Sequence, residues 1–173
     1  SIQDDQFESS GWHALGRWQR IISEHENIQL QSYFSHINRT MPELYQRQDI
    51  FDIDFQHQVK LNEKTEVVWG LGYRFTHNKV ENAPGLAFIP PSLDRNLFSG
   101  FVQDEINVAD DIFLTIGSKI EHNDYTGFEF EPSIRLQSNI TSGQFLWAAL
   151  SRAVRLPSRI DRHVRIPTPG FSP

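Results

Sequence analysis

The stretch FDIDFQHQVKL at residues 51–61 alternates apolar and polar side chains over eleven residues. The apolar side chains occupy odd positions, and His57 is the one interruption: Phe51, Ile53, Phe55, Val59 and Leu61. Successive side chains of a β-strand point to opposite faces, so this period of two predicts a strand with one apolar and one polar face. The fold must provide a different environment for each face.

The same alternation recurs along the chain and predicts an all-β protein. EVVWGLGYRFTH at 66–77 and IFLTIGSKIEH at 112–122 repeat it closely, and no segment has the period of an amphipathic helix. We expect an antiparallel up-and-down meander of about eight long strands. The predicted strands span residues 12–24, 28–39, 48–61, 65–77, 97–108, 112–123, 129–138 and 144–154.

The connections between these strands differ in length. EHEN, NEK, ADD and NITSG are short, polar, hairpin-type connections. The intervening connections are expected to be longer, at 40–47, 78–96 and 123–129, and the tail after residue 154 is not expected to return to the sheet. In a meander, alternate connections lie at opposite ends. One end should therefore carry tight turns and the other should carry large loops.

Composition excludes several classes of protein. The 173 residues suffice for one domain, and their net charge of −6 is opposite to the basic footprint of nucleic-acid binding proteins. The chain has no cysteine, which excludes disulfides and thiolate metal sites. The seven histidines show no ligand spacing, and no credible nucleophile–base pair is present. We therefore expect no enzyme activity, no cofactor and no metal site.

Strand length favours a transmembrane β-barrel. The predicted strands exceed the usual length of about 5–6 residues and suit outer-membrane strands, which need about 9–11 residues. Short turns at one end, long loops at the other and dyad alternation are typical of such barrels, whose apolar face contacts lipid. A soluble lipocalin-like ligand-binding barrel or a sandwich would have the same alternation with the apolar side inward. A passive outer-membrane porin or adhesion barrel is the other alternative.

Three stretches carry a more specific resemblance: LFSGFVQDEINV at 97–108, LTIGSKIEHNDYTGFEFEPSIRL at 114–136 and LWAALSRAVRLPSR at 146–159. In this order and spacing they resemble the barrel of TonB-dependent outer-membrane receptors. The resemblance is close across residues 48–160 and compatible before them.

The resemblance implies import of a siderophore, cobalamin, haem or another scarce nutrient across the bacterial outer membrane. It also implies two partners, an N-terminal plug inside the barrel and TonB as the source of energy. No TonB box, plug sequence or closing C-terminal strand is recognised in the chain. Eight strands are far fewer than the roughly 22 of such transporters. Residues 1–173 are therefore expected to be a single partial barrel domain of a longer receptor.

Arginines are the main candidates for contacts with ligand or plug. Five of them fall within the tail: Arg152, Arg155, Arg159, Arg162 and Arg165. They predict a cationic patch where an anionic ferric chelate or the plug could bind; the alternatives are a solvated loop or pairing with plug carboxylates. Arg74 and Arg135 lie on the polar sides of their strands and should face the lumen.

Phe88, in the long 78–96 connection, is a further ligand-contact candidate, because loops of this length are often functional. The alternative is that this connection only caps the barrel mouth.

A barrel segment on its own would leave its apolar face and its first and last strands exposed. We expect an isolated fragment to curl onto its apolar face or to pair with a second copy.

Overall fold

The structure is a computed structural model that describes residues 7–42, 44–82 and 86–165. Its elements, in chain order, are β1 (Glu8–Ser23), β2 (Glu26–Met41), β3 (Leu44–Asn62), β4 (Thr65–Glu81), β5 (Ala87–Phe88), β6 (Ser92–Ala109), β7 (Ile112–Asn123), β8 (Gly127–Thr141), β9 (Gln144–Ser151), α1 (Arg159–His163) and β10 (Val164–Arg165). Within the described ranges, no helix is long and apolar enough to cross a membrane.

The eight long strands form one antiparallel sheet in the order β1-β2-β3-β4-β6-β7-β8-β9. The predicted all-β meander is confirmed, and each predicted strand corresponds to one of these eight. The observed strands are mostly longer than predicted, reaching 19 residues in β3. No pairing closes the described sheet between β1 and β9, so it is an open, partial barrel wall.

The tight connections at one end of the sheet are confirmed, and they share a device that the sequence analysis missed. A shift of register precedes each turn, where one extra residue enters the first strand. The four inserted residues are all aliphatic and exposed: Ile22, Leu61, Val108 and Ile140. A β-bulge of this kind re-aims a side chain at a barrel rim. Here each of the four hairpins has its inserted aliphatic residue at the same position, next to last in its first strand.

The expected large loops at the other end are only partly present. β2 ends at Met41 and β3 begins at Leu44, so only residues 42 and 43 separate them. Likewise, β7 ends at Asn123 and β8 begins at Gly127. The long connections predicted at 40–47 and 123–129 are therefore wrong. The strands continue where neither face keeps a clear apolar pattern, so alternation could not reveal their ends.

The prediction that the tail does not return to the sheet is also wrong. After β9, the chain crosses the sheet, forms the short helix α1 and ends its described part in β10. β10 pairs with β5, which belongs to the connection between β4 and β6. The tail therefore contacts a part of the chain that precedes it by about eighty residues in the numbering.

The register separates the two faces cleanly in the centre of the sheet. Phe34 lies opposite Phe51, which lies opposite Phe75; these residues belong to the apolar face. Asp52 lies opposite Arg74 on the other side, the polar face, where the Arg74 Nε and Asp52 Oδ2 atoms are 2.6 Å apart. Each row of side chains across the strands is thus mainly apolar or mainly polar, as alternation predicts.

The buried residues of this sheet lie on its polar face. They are Ser35, Asp52, Gly70, Thr76, Asn78, Val80, Glu121 and Asn123. The apolar face is exposed, with Leu71 at 59% of its full accessibility. The expectation that the sheet curls onto its apolar face is therefore wrong, because the polar face is the covered one. Pairing of an isolated fragment with a second copy stays a prediction.

His57, the interruption in the opening pattern, lies on the apolar face with its polar atoms satisfied. The Trp69 indole N–H lies 2.9 Å from His57 Nδ1, and His57 Nε2 lies 2.9 Å from a Glu26 carboxylate oxygen. A polar group beside apolar surface is costly unless it is hydrogen-bonded. This chain of contacts explains how a histidine fits the apolar side of the strand.

Gly70 allows a close approach between β4 and its neighbours. A Cβ atom added there would lie 2.5 Å from the Phe101 ring and 2.5 Å from the Phe55 carbonyl oxygen. The aromatic ring therefore occupies the space above the glycine. The carbonyl belongs to the backbone ladder and cannot move away without disturbing the pairing.

Gly70→Val should lower the free energy of unfolding of the full-length protein by about 1–3 kcal/mol through overpacking. Gly100→Val is the matched control, because a Cβ at Gly100 would make an ordinary contact with Leu71 at 3.4 Å. Urea denaturation followed by tryptophan fluorescence measures both variants. Equal stability of the two would contradict the proposed close packing at Gly70.

Candidate functional site

Residues 152–165, here called the strap, cross the polar face at the end opposite the tight turns. The Arg152 backbone N–H donates to the Pro132 carbonyl at 3.0 Å, and the Val154 N–H donates to a Glu131 carboxylate oxygen at 2.8 Å. At the far end, the Ile89 N–H donates to the His163 carbonyl at 3.0 Å. The strap is therefore attached to β8 on one side and to the β4–β6 connection on the other.

Arg159 fastens the strap to the sheet. Its Nη1 donates to the main-chain oxygen of Asn78 at 3.0 Å and also to the Asn78 side-chain oxygen. Its Nη2 donates to the carbonyls of Pro90 at 2.6 Å and Pro91 at 2.9 Å. The guanidinium also lies 5.1 Å from the centre of the Phe88 ring, a cation–π distance. Burial lowers the pKa of Arg159, whose terminal nitrogens are solvated by these oxygens and form no salt bridge with a described carboxylate.

The short helix that carries Arg159 is fixed by its own cap. The Asp161 N–H donates to Ser158 Oγ at 3.2 Å, and the Ser158 N–H donates to an Asp161 carboxylate oxygen at 2.7 Å. These two contacts form a capping box. The backbone N–H of Ser158, and then its side chain, hold the pKa of the Asp161 carboxyl below its ordinary value, with a smaller contribution from Arg155. The carboxylate thus keeps its charge, and the cap, into more acidic conditions.

Tyr125 joins the strap to the sheet from the β7–β8 connection. Arg95 of β6 and Arg162 of α1 both lie over its ring, at 5.4 Å and 5.3 Å from the ring centre. Cations over an aromatic face are stabilised by the ring quadrupole. Three distant segments therefore meet at one aromatic side chain.

Two cavities open on the polar face beside the strap. The Tyr125 cavity, about 300 Å³, has Arg74, Arg95, Asp124, Tyr125 and Leu156 in its wall. The Phe88 cavity, about 590 Å³, lies beneath α1 and contains Arg39, Arg95 and Arg159. Its wall is otherwise largely apolar, with Met41, Leu44, Val80, Leu86, Phe88 and Ile160. Both volumes are close to or within the range of small-molecule sites.

The predicted tail arginines do not form one patch. Arg152 donates to the Phe130 carbonyl, and Arg155 lies on the exposed side of the strap, with its Nη2 3.3 Å from an Asp161 oxygen. Arg159 is buried and Arg162 lies over Tyr125. Arg165 belongs to β10, opposite Ala87.

The remaining candidates are placed as follows. Arg74 and Arg135 both lie on the polar face, as predicted, and Arg74 is paired with Asp52. Arg135 lies opposite Thr115 and lines neither cavity. Phe88 is buried against Arg159 and lines the Phe88 cavity.

Sequence reasoning missed Arg95, Tyr125 and Asn78. Arg95 and Asn78 were assigned to a loop, although they lie in β6 and β4 with side chains on the polar face. Extending the alternation of each strand by a few residues would have placed both on that face. No local signal identifies Tyr125, whose partners come from other segments. In the described part of the chain, no group of three or more histidine or acidic residues could hold a metal ion.

Replacing Arg159 should loosen the strap. Arg159→Gln removes hydrogen bonds from a charged donor, each worth about 1.5–3 kcal/mol. Because proteolysis follows the population of the open form, tryptic cleavage after Arg155 in the full-length protein should become about 10–100-fold faster. Arg135→Gln, on the same face but away from the strap, is the control and should leave the rate unchanged. An unchanged rate in Arg159→Gln would contradict the anchoring role.

Comparison with known proteins gives one family and two related folds. A sequence model described as "TonB dependent receptor-like, beta-barrel" matches residues 4–171. The siderophore receptor PirA from Pseudomonas aeruginosa has a similar structure, with a TM-score of 0.64 and 13% identity over 87% of this chain. The ferric citrate transporter FecA, in its unliganded form, gives a TM-score of 0.60 and 14% identity over 85% of this chain.

The chain spans 28% of the length of each of these two proteins. A comparison with curated protein sequences gives no match.

Proposed function

The chain belongs to the family of TonB-dependent receptor β-barrels, and from this premise we propose that it forms part of a receptor that imports a siderophore or a similar scarce nutrient across a bacterial outer membrane. The single observation that carries the proposal is the covered polar face with two cavities beside the strap. A plain wall segment would need neither.

The membrane location is supported by the arrangement of the two faces. Leu71, Ile120 and Leu150 are among many large apolar side chains exposed on one side of the sheet. Lipid can cover such a surface, and a closed barrel can satisfy the strand edges. The alternating segment 51–61 matches the length that an outer-membrane strand needs, about 9–11 residues.

The proposed partners are those of the family. A plug within the lumen would face the polar side of this sheet, and TonB would supply energy from the inner membrane. One structural neighbour is a siderophore receptor and the other is a ferric citrate transporter. We propose a ferric chelate or a comparable nutrient, cobalamin included, as cargo here, since arginines at the strap end would favour anions.

The alternatives differ in observable ways. A soluble lipocalin-like carrier would bury its apolar side, whereas the buried residues of this sheet lie on the polar side. A passive porin would need an open lumen, whereas the strap crosses the polar face. The family and both structural neighbours are receptors or transporters, which favours transport over enzymatic activity.

Uptake of iron-55 from a panel of ferric chelates tests the proposal. Cells producing the full-length receptor should accumulate iron from at least one chelate, and cells lacking TonB should not. Arg155→Ala, at a side chain 85% exposed, should reduce uptake of that chelate several-fold if the strap contacts cargo. Arg135→Ala serves as the control, with an arginine that lies in β8 and outside the strap.

Uptake that is equally fast without TonB would indicate a passive pore and would contradict the receptor function. Unchanged uptake in Arg155→Ala would remove that arginine from the cargo site.

A further inference from the structure

We propose that the Phe88 cavity binds an amphipathic organic anion, that is, a carboxylate or a similar oxyanion carried on an apolar body. The inference rests on the proposed function, since it names the chemical class of cargo, or part of a cargo, that this receptor takes. Its basis is that one cavity combines three arginines with a wall that is otherwise largely apolar.

The charge that the described residues bring to the cavity wall is positive. Three arginines line it, and no aspartate or glutamate does so among the described residues. This is the reverse of the whole chain, whose net charge is −6. Positive charge gathered in a concave, partly dry site attracts anions more strongly than the same charge on an open surface.

The three arginines differ in the contacts that they already make. Arg159 is occupied by the carbonyl oxygens that hold the strap. Arg39 and Arg95 make no ion pair with any described residue. The buried Arg95 Nε in addition has no hydrogen-bond partner within the described ranges. A guanidinium fork suits the two oxygens of a carboxylate, so Arg39 and Arg95 are the residues available to an anionic group.

The rest of the wall selects the body of the ligand. The apolar residues named above surround the arginines, and Phe88 is buried beneath Arg159. A wholly polar anion would leave this surface unfavourably exposed to water, whereas an aromatic or aliphatic body would cover it. The volume of about 590 Å³ accommodates a ligand of one or two rings.

The position of the cavity supports the same assignment. Its walls come from the ends of β2, β3, β4 and β6, from β5 and from the strap. A ligand there would contact the sheet through Arg39, the β4–β6 connection through Phe88 and the strap through Ile160. It would therefore stabilise the strap in its observed position.

Binding of 2-naphthoate to the purified full-length receptor tests the assignment, with neutral 2-naphthamide and citrate as comparison probes. Equilibrium dialysis should give one saturable site for naphthoate and weak binding of the other two. Arg39→Gln and Arg95→Gln should each weaken naphthoate binding by about 10-fold or more, as expected for loss of a charge-assisted hydrogen bond. Arg135→Gln, on the same face outside the cavity, should bind naphthoate as the unmodified receptor does.

Arg39 is exposed and unpaired among the described residues, so Arg39→Gln decides the matter even if Arg95→Gln does not fold. Equal binding of naphthoate and naphthamide, tighter binding of citrate, or an equal loss in Arg135→Gln would overturn the assignment. TonB-dependent iron uptake without naphthoate binding would refute the cavity and leave the receptor function standing. Naphthoate binding without any TonB-dependent uptake would refute the receptor function and leave the cavity standing.

Discussion

Inter-strand hydrogen bonding of the backbone is the constraint on which the rest of this structure depends. It fixes a register in which Phe34, Phe51 and Phe75 form one row and Ser35, Ile50 and Thr76 form the next. A slip of one residue between two strands would move every side chain of one strand to the opposite face. The ladder therefore converts a simple alternation in sequence into two continuous surfaces of opposite character.

The polar surface also supports a second part of the chain, which packs against it. The strap returns across the sheet and is held by Arg159, whose donors meet carbonyl oxygens of Asn78, Pro90 and Pro91. Burying a cation is costly unless it is hydrogen-bonded; both terminal nitrogens of Arg159 are, whereas its Nε has no partner among the described residues. The strap thereby encloses space against the sheet, and the proposed anion site uses two arginines there that form no ion pair with the described residues.

The sequence predicted the sheet better than it predicted the site. Alternation and turn residues located the strands and tight turns, and the family resemblance was correct, because these signals are local. The end of β2 and the start of β3, near residues 41–44, differ from the prediction because both faces there are polar or mixed; the end of β7 at Asn123 agrees with it. Arg159 was singled out for its charge, but its role was not predictable, because its partners lie 68–81 residues away. The role of Tyr125 was not predictable for the same reason, whereas Arg95 lies in β6, where the predicted connection was too long.

The orientation of the two faces is tested most directly by labelling successive residues of β3. The chain has no cysteine, so single cysteines at positions 51–56 of a full-length receptor otherwise free of cysteine can carry a nitroxide label in a lipid bilayer. Positions 51, 53 and 55 should be accessible to oxygen dissolved in lipid, and positions 52, 54 and 56 should be shielded from it. Accessibility that does not alternate, or that alternates in the opposite sense, would contradict the assignment of the apolar face to lipid.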